Sequence, residues 1–192
     1  LTTAGLLTRV MGFFYRIFLG RSFSAEEIGL YQLIFPVYTL AFAATSAGIQ
    51  TALARLVATA SAKKQHAKAH SYLKAALLCS LSLSFGFLFL IQKNAVFLAA
   101  VVLGEPRCAS LISLMAYALP FAALHSCTCG YFLGLRQIRF PALSQLLEQF
   151  ARILFVILLY ITGTHTAFHP PIAIAVLGLA GGEIFAALLC IH

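Results

Sequence analysis

The chain has 192 residues, of which 61% are hydrophobic and only 9% are charged, and its formal net charge is +8. A soluble domain uses roughly 25% charged residues to cover its surface, so this composition excludes an ordinary soluble domain and indicates a protein built for lipid. The positive residues fall in short clusters between apolar stretches, which favours anionic lipid headgroups over nucleic acid as partners. We therefore expect an all-α integral membrane protein.

Apolar stretches divided by charges and breakers predict a six-helix transmembrane bundle. A spanning helix needs ~20 residues, and most of the uncharged runs are long enough. The last uncharged run is broken by Gly163 and by Pro170 and Pro171, and together with its charged flanks it predicts two helices. The predicted spans are residues 3–20, 32–58, 72–92, 109–133, 141–162 and 172–192.

The opening helix carries Arg9 and Arg16 inside an otherwise apolar segment. A guanidinium at membrane depth costs ~2.5–3.5 kcal/mol on insertion scales, so it needs a partner, water or a ligand. Seven residues are close to two helical turns, so both arginines face the same side of the helix. That side is a candidate path for a negatively charged substrate, while snorkelling toward the membrane surfaces is the alternative.

The connection after the first helix predicts a helix start, with Ser24 as N-cap and Glu27 at the capping-box position. In the second helix, Tyr31 and Gln32 complete the set of substrate-binding candidates begun by the two arginines. Pro36 is expected to kink this helix, and the run of small residues at 43–48 predicts close packing against a neighbouring helix.

Charges in the loops predict the orientation. The second-to-third and fourth-to-fifth connections share one side and carry six Lys or Arg, against three on the opposite side. The positive-inside rule then places both termini in the cytoplasm, for a multi-pass protein of the cell membrane. Residues 94–104 are apolar but too short to span, so we expect them at the outer interface or re-entering, followed by a turn at 104–107.

The fifth helix carries four polar residues at membrane depth. Glu148 and Arg152 are spaced i, i+4, so they are expected to neutralise each other. The group is predicted to couple an ion or to form a polar seam between helices. Its members are Gln145, Glu148, Gln149 and Arg152.

In the last helix, Gly178, Gly181 and Gly182 predict a surface for close helix packing. Arg55 and Glu183 lie near the predicted cytoplasmic ends of their helices, where snorkelling explains them.

The sequence predicts no enzyme, and neither a catalytic residue, a metal site nor a cofactor. Its histidines and cysteines are scattered, without the spacing of a zinc site. Cys127 and Cys129 lie together in the fourth helix, where a contact between helices is the favoured interpretation. A phosphate-binding glycine loop is lacking, so ATP-driven transport by this chain alone is not expected.

Several motifs, in order along nearly the whole chain, lie at 8–16, 25–32, 35–38, 104–107, 130–134 and 144–152. Together they resemble the polysaccharide-biosynthesis flippases, most closely the stage V sporulation protein B group, within the multidrug/oligosaccharidyl-lipid/polysaccharide exporter superfamily.

The resemblance implies a MATE-like fold of two lobes, each a bundle of six or seven helices, around a cavity that opens alternately to either side. It also implies transport of undecaprenyl-phosphate-linked sugars. Arg9 matches the first of the cavity arginines that meet the pyrophosphate in the related lipid II flippases. Arg16 lies one residue beyond the second, where Tyr15 stands instead, and no arginine follows Pro36. The expected substrate is therefore a polyprenyl-linked glycan and not specifically lipid II.

Six helices correspond to one lobe, so we expect residues 1–192 to be an N-terminal transmembrane lobe whose C-terminal lobe is missing. Either the chain is a fragment of a longer protein, which we favour, or two copies associate.

The expected function is a flippase or exporter that moves a polyprenyl-diphosphate-linked saccharide, a precursor of cell wall, spore cortex or polysaccharide, by alternating access. One alternative is a cation-coupled drug or metabolite exporter of the same superfamily, which would want acidic residues in its cavity. Another is a non-transporting scaffold for envelope synthesis, in which the arginines are dispensable. Envelope-synthesis proteins are expected as partners.

Overall fold

The computed structural model describes residues 2–165 and 172–190, and all regular secondary structure in these two ranges is helical. The described residues form six helices, which follow one another with short connections. They are α1 (Thr2–Ser22), α2 (Ala25–Ala62), α3 (His66–Val102), α4 (Cys108–Gly134), α5 (Arg139–His165) and α6 (Ala173–Leu189).

Three of the helices depart locally from regular α-helical geometry. α2 contains a π-helical turn at Ala43–Ala47, and α3 ends in another at Leu98–Val102. α4 has a single turn residue, Tyr117, between its two α-helical parts. Pro36 lies inside α2 without ending it.

Helix length and hydropathy define a membrane protein. α2, α3, α4 and α5 are long and apolar enough to cross a membrane, whereas α6 is apolar but has only 17 residues. α1 does not reach the same mean hydropathy, and three arginines lie within it. Leu40, Leu78 and Phe89 are at least 70% exposed, which is expected of side chains that face lipid. The prediction of an all-α membrane protein is confirmed, and the number of spans stays a prediction.

The predicted spans agree with α1, α4 and α5 within three residues at each end. α2 and α3 extend beyond the predicted spans 32–58 and 72–92 at both ends. Glu26, Lys68 and Lys93 lie on helical turns beyond those limits and are exposed. For α6, the last two residues of the predicted span, 191–192, lie outside the described residues.

Residues 94–102 belong to the third helix. The stretch continues α3 through Val102, so the re-entrant alternative was wrong, whereas a position at the outer interface stays a prediction. A turn then follows at Gly104, whose φ of +70° lies in the left-handed region that favours glycine. The predicted turn at 104–107 is therefore confirmed.

The predicted capping box begins α2. The Glu27 backbone N–H donates to Ser24 Oγ over 3.3 Å, and the Ser24 backbone N–H donates to Glu27 Oε2 over 3.0 Å. An ion pair between Glu26 and Arg107 connects this helix start to the turn before α4. Two neighbouring connections are thereby fixed to each other at one end of the bundle.

α4 is the central helix, with more than half of its apolar stretch buried. It packs against α2, α3 and α6, and Leu119, Ala123 and Cys127 are fully buried within it. The Cys127 thiol lies 3.8 Å from the carbonyl oxygen of Ala76 on α3. The interpretation of Cys127 as a residue at a contact between helices is therefore confirmed.

Small residues allow α4 and α2 to approach closely. A Cβ atom at Gly134 would lie 2.7 Å from the carbonyl oxygen of Ala54. In the π-helical turn of α2, Thr45 and Ser46 are fully buried, and Ser80 Oγ on α3 donates to the Thr45 carbonyl oxygen over 2.9 Å. The predicted packing role of residues 43–48 is confirmed.

The glycines of α6 allow the same close approach to α5. A Cβ at Gly178 would lie 2.1 Å from Val156 Cγ2, and a Cβ at Gly182 would lie 3.1 Å from Arg152 Cβ. In protein structures a Cβ atom essentially never lies within 3.0 Å of a heavy atom to which it is not bonded. The predicted close-packing surface of the last helix is confirmed.

Gly178→Ala should therefore destabilise the bundle by about 1–3 kcal/mol, because the added methyl group overpacks the contact with Val156. Gly86→Ala is the control, since nothing lies within 4 Å of a Cβ at that position of α3. The measurement is the free energy of unfolding in detergent micelles. Combining Gly178→Ala with Val156→Ala should recover part of the loss. Equal stability of the two glycine variants would contradict the packing interpretation.

Candidate functional site

A cavity of about 1020 Å³ lies between α1, α2 and α5. Three arginines contribute to its wall, and the described residues that line it include no carboxylate. The cavity therefore carries positive charge within a largely apolar bundle. Its polar lining residues are Thr8, Arg9, Tyr15, Arg16, Tyr31, Gln32, Gln145, Gln149 and Arg152.

α1 lines the cavity with one face. Arg9, Gly12 and Arg16 recur at intervals of three and four residues, so they lie on the same side of the helix. Both arginines are exposed. At Gly12 a Cβ would lie 3.8 Å from Gln149 Nε2 on α5, so α1 and α5 meet between the two arginines. The prediction that the arginines share a side is confirmed.

α2 and α5 complete the wall with polar groups. Tyr31 of α2 is buried with its ring centroid 5.1 Å from that of Phe35, and Gln32 follows it on the cavity wall. On α5, Gln145, Gln149 and Arg152 are spaced four and three residues apart, which places them on one face.

A buried polar cluster lies behind this wall, between α4, α5 and α6. His125 of α4 is hydrogen-bonded through Nε2 to Ser144 Oγ at 2.6 Å. Its other ring nitrogen, Nδ1, lies 3.6 Å from Glu148 Oε2 and 3.8 Å from Glu183 Oε2. The imidazole therefore contacts one carboxylate from α5 and one from α6.

Arg152 contacts the other side of the same two carboxylates. Its Nη2 pairs with Glu148 Oε1 and lies 4.0 Å from Glu183 Oε1. Tyr38 of α2 donates its hydroxyl hydrogen to Glu183 Oε1 over 3.5 Å. Each carboxylate thus turns one oxygen toward His125 and the other toward Arg152. The predicted ion pair between Glu148 and Arg152 is present.

The donor atoms of His125, Glu148 and Glu183 lie within 4.8 Å of one another, which is close enough for a metal ion. A cation there would have to compete with the guanidinium of Arg152, which already contacts both carboxylates. The positive charge of this guanidinium would repel an incoming metal ion. The group is therefore an ion-pair cluster.

One buried donor on the cavity wall lacks a hydrogen-bond partner among the described residues: Arg152 Nε. Leaving a buried donor unsatisfied costs about 1–3 kcal/mol. Arg152 lines the cavity, so a ligand with acceptor oxygens could satisfy Nε if the side chain turned toward it.

The structure brings most of the predicted site residues together. The four substrate-binding candidates all line the cavity, as do three of the four polar residues of α5. Glu148 belongs instead to the buried cluster. Whether these residues bind a substrate or couple an ion stays a prediction. The predicted site residues that line the cavity are Arg9, Arg16, Tyr31, Gln32, Gln145, Gln149 and Arg152.

Sequence reasoning missed four members of the cluster, and its interpretation of Glu183 was wrong. The Glu183 side chain is only 11% exposed and contacts His125, so it does not snorkel toward a membrane surface. A histidine in the middle of a long uncharged helix was the available signal, since such residues are costly in a membrane and are usually functional. The missed members are Tyr38, His125, Ser144 and Glu183.

The fold and the site define a class: an all-α membrane protein whose helices surround a positively charged cavity. The model of the polysaccharide biosynthesis protein family matches residues 1–191, and the chain belongs to that family.

Two relatives come from Bacillus subtilis (strain 168). Stage V sporulation protein B is 34% identical over 156 residues, which cover 81% of this chain and 30% of the relative. The uncharacterized membrane protein YabM is 30% identical over 156 residues, which cover 80% of this chain and 28% of the relative. The matched part of the chain thus spans less than a third of either relative. No solved structure matches the chain significantly.

Removing the imidazole tests whether the cluster supports the bundle. His125→Leu should lower the free energy of unfolding by about 1–3 kcal/mol, because Ser144 and the two carboxylates lose a buried partner. His66→Leu, at the exposed start of α3, is the control and should change stability little. Unfolding of both variants in the same detergent provides the measurement. Equal stability would show that His125 makes no net contribution.

Proposed function

We propose that the chain is the substrate-binding bundle of a membrane flippase or exporter that moves a polyprenyl-diphosphate-linked saccharide across the cell membrane. The observation that carries the proposal is the cavity, with three arginines and no carboxylate among the described residues of its wall. Guanidinium groups bind phosphate oxygens through paired, charge-assisted hydrogen bonds. Membership of the polysaccharide biosynthesis family supports a glycan as the cargo.

Each part of such a substrate fits a different part of the site. Arg9 and Arg16 would meet the diphosphate, where a negative charge most needs compensation. The amide groups of Gln32, Gln145 and Gln149 offer donors and acceptors for saccharide hydroxyls. The prenyl chain would remain in the lipid, which contacts the apolar outer surface of the bundle.

Transport by alternating access requires a second bundle that faces α1, α2 and α5. It would come from another lobe of the gene product or from a second copy of the chain. Rocking of one bundle against the other would open the cavity first to the cytoplasm and then to the outside. In this arrangement both termini of the chain lie in the cytoplasm.

Glu148 is our candidate for a link between transport and an ion. Its carboxylate is held between Arg152 and His125, and the side chain is 14% exposed. The balance between the charged and the protonated form of a buried carboxylate depends strongly on its charged neighbours. Movement of α5 against α4 would change the distances from Glu148 to these charged neighbours. The affinity of the Glu148 carboxylate for a proton or another cation would change with them.

A cation-coupled drug or metabolite exporter is the second candidate, favoured by the carboxylates of Glu148 and Glu183 near the cavity. It ranks lower because an organic cation would meet the arginines of the wall first. A scaffold for envelope synthesis, with proteins of that machinery as partners, is the third.

The double variant Arg9→Gln, Arg16→Gln should abolish export of the lipid-linked glycan, because the diphosphate would lose two of the three arginines of the cavity wall in an apolar surrounding. The assay is the amount of glycan that reaches the outer surface in cells that depend on this gene.

Arg21→Gln is the matched control, since Arg21 lies at the end of the same helix and is exposed. All variants must reach the membrane in equal amounts. Unchanged export in the double variant would overturn the assignment and favour the scaffold, whereas export of a cationic drug by the wild type would favour the second candidate.

A further inference from the structure

Arg152 belongs to two environments at once. It lines the cavity between α1, α2 and α5, and its Nη2 contacts both carboxylates of the cluster. Its Nε has no hydrogen-bond partner among the described residues. The same guanidinium therefore donates to Glu148 through Nη2, lies 4.0 Å from Glu183, and has a further donor left over.

The guanidinium of Arg152 is shared between the two carboxylates of the cluster and the cavity. Two carboxylates share one guanidinium, and the side chains of Glu148, Arg152 and Glu183 are between 11% and 17% exposed. Attraction between unlike charges is strong when water is largely excluded. Glu183 consequently attracts Arg152 toward α6, and both carboxylates reduce the positive charge that Arg152 presents to the cavity.

We propose that Arg152 is a diphosphate-binding residue of the cavity, and that Glu148 and Glu183 compete with the bound diphosphate for its guanidinium. The inference rests on the proposed function, since it names a further residue that would contact the same ligand. Arg152 would turn its Nε toward the cavity and donate to a phosphate oxygen. This nitrogen is a buried donor that lacks a partner among the described residues.

The competition has a definite sign. A ligand that draws Arg152 toward the cavity leaves the two carboxylates with less positive charge beside them. Binding is then weaker than it would be with an uncommitted arginine. By linkage, a substitution that removes one carboxylate should strengthen diphosphate binding. If the carboxylates only held the site in shape, the same substitution would weaken binding.

The test measures binding to the intact gene product in lipid nanodiscs by titration calorimetry. The probes are farnesyl diphosphate and inorganic pyrophosphate, which separate a lipid headgroup from a free diphosphate as the source. Arg152→Gln should raise the Kd about tenfold, as expected for one lost charge-assisted hydrogen bond. Glu183→Gln should lower the Kd roughly threefold, because Arg152 loses one of the two carboxylates that compete for it.

The double variant Arg152→Gln, Glu183→Gln distinguishes competition from an independent effect. Once Arg152 is gone, Glu183→Gln has nothing to release, so the double variant should bind like Arg152→Gln alone. Glu148→Gln is the second carboxylate variant, should Glu183→Gln fail to fold. Glu105→Gln is the matched control, because Glu105 lies in the turn before α4, beside Arg107 and away from the cavity.

The outcomes are separable. Binding of both probes supports recognition of the diphosphate itself, and binding of farnesyl diphosphate alone supports a lipid headgroup as the source. If Arg9→Gln, Arg16→Gln weakens binding but Arg152→Gln does not, the proposed function stands and the inference fails. Weaker binding by Glu183→Gln also overturns the inference. If the wild type binds neither probe, the proposed function fails with it.

Discussion

A charged side chain inside a membrane protein has to find its partner within the protein, and this constraint sets the arrangement of α4, α5 and α6. Arg152 contacts Glu148 on its own helix and Glu183 on α6, while His125 on α4 reaches the same two carboxylates. Rotation of any of the three helices would leave a buried charge without its partner, at a cost of about 3–5 kcal/mol. The cluster therefore fixes which face of α5 is turned toward the cavity.

The ion-pair cluster is possible only because α6 approaches α5 without side chains in between. Gly178 and Gly182 lie against α5, and a Cβ at Gly182 would come within 3.1 Å of Arg152 Cβ. Glu183 follows directly in the sequence, so the glycine contact brings its carboxylate to the guanidinium. In lipid, helices associate through close packing and interhelical polar contacts, since apolar surface alone gains little. Close packing and an interhelical polar contact both occur where Gly182 and Glu183 of α6 meet Arg152 of α5.

Features that depend on spacing within one helix could be predicted from the sequence. The shared side of Arg9 and Arg16, like the pair of Glu148 with Arg152, follows from helical periodicity alone. Contacts between helices could not, because hydropathy does not say which face of one helix meets which face of another. Glu183 was for that reason attributed to snorkelling. The lengths of α2 and α3 were underestimated because a charged residue does not end a helix, and both helices continue past Glu26, Lys68 and Lys93.

The separation of charges by helix face gives the cavity its sign. α5 presents Gln145, Gln149 and Arg152 to the cavity, while Glu148 turns toward α4 and α6. A carboxylate on the cavity wall would attract the nearby guanidinium groups strongly in this largely apolar surrounding, and an anionic ligand would have to displace it. With the carboxylates behind α5, Arg152 remains held in place while the wall stays positively charged. The interactions that stabilise the bundle thus also determine which charge the cavity can accept.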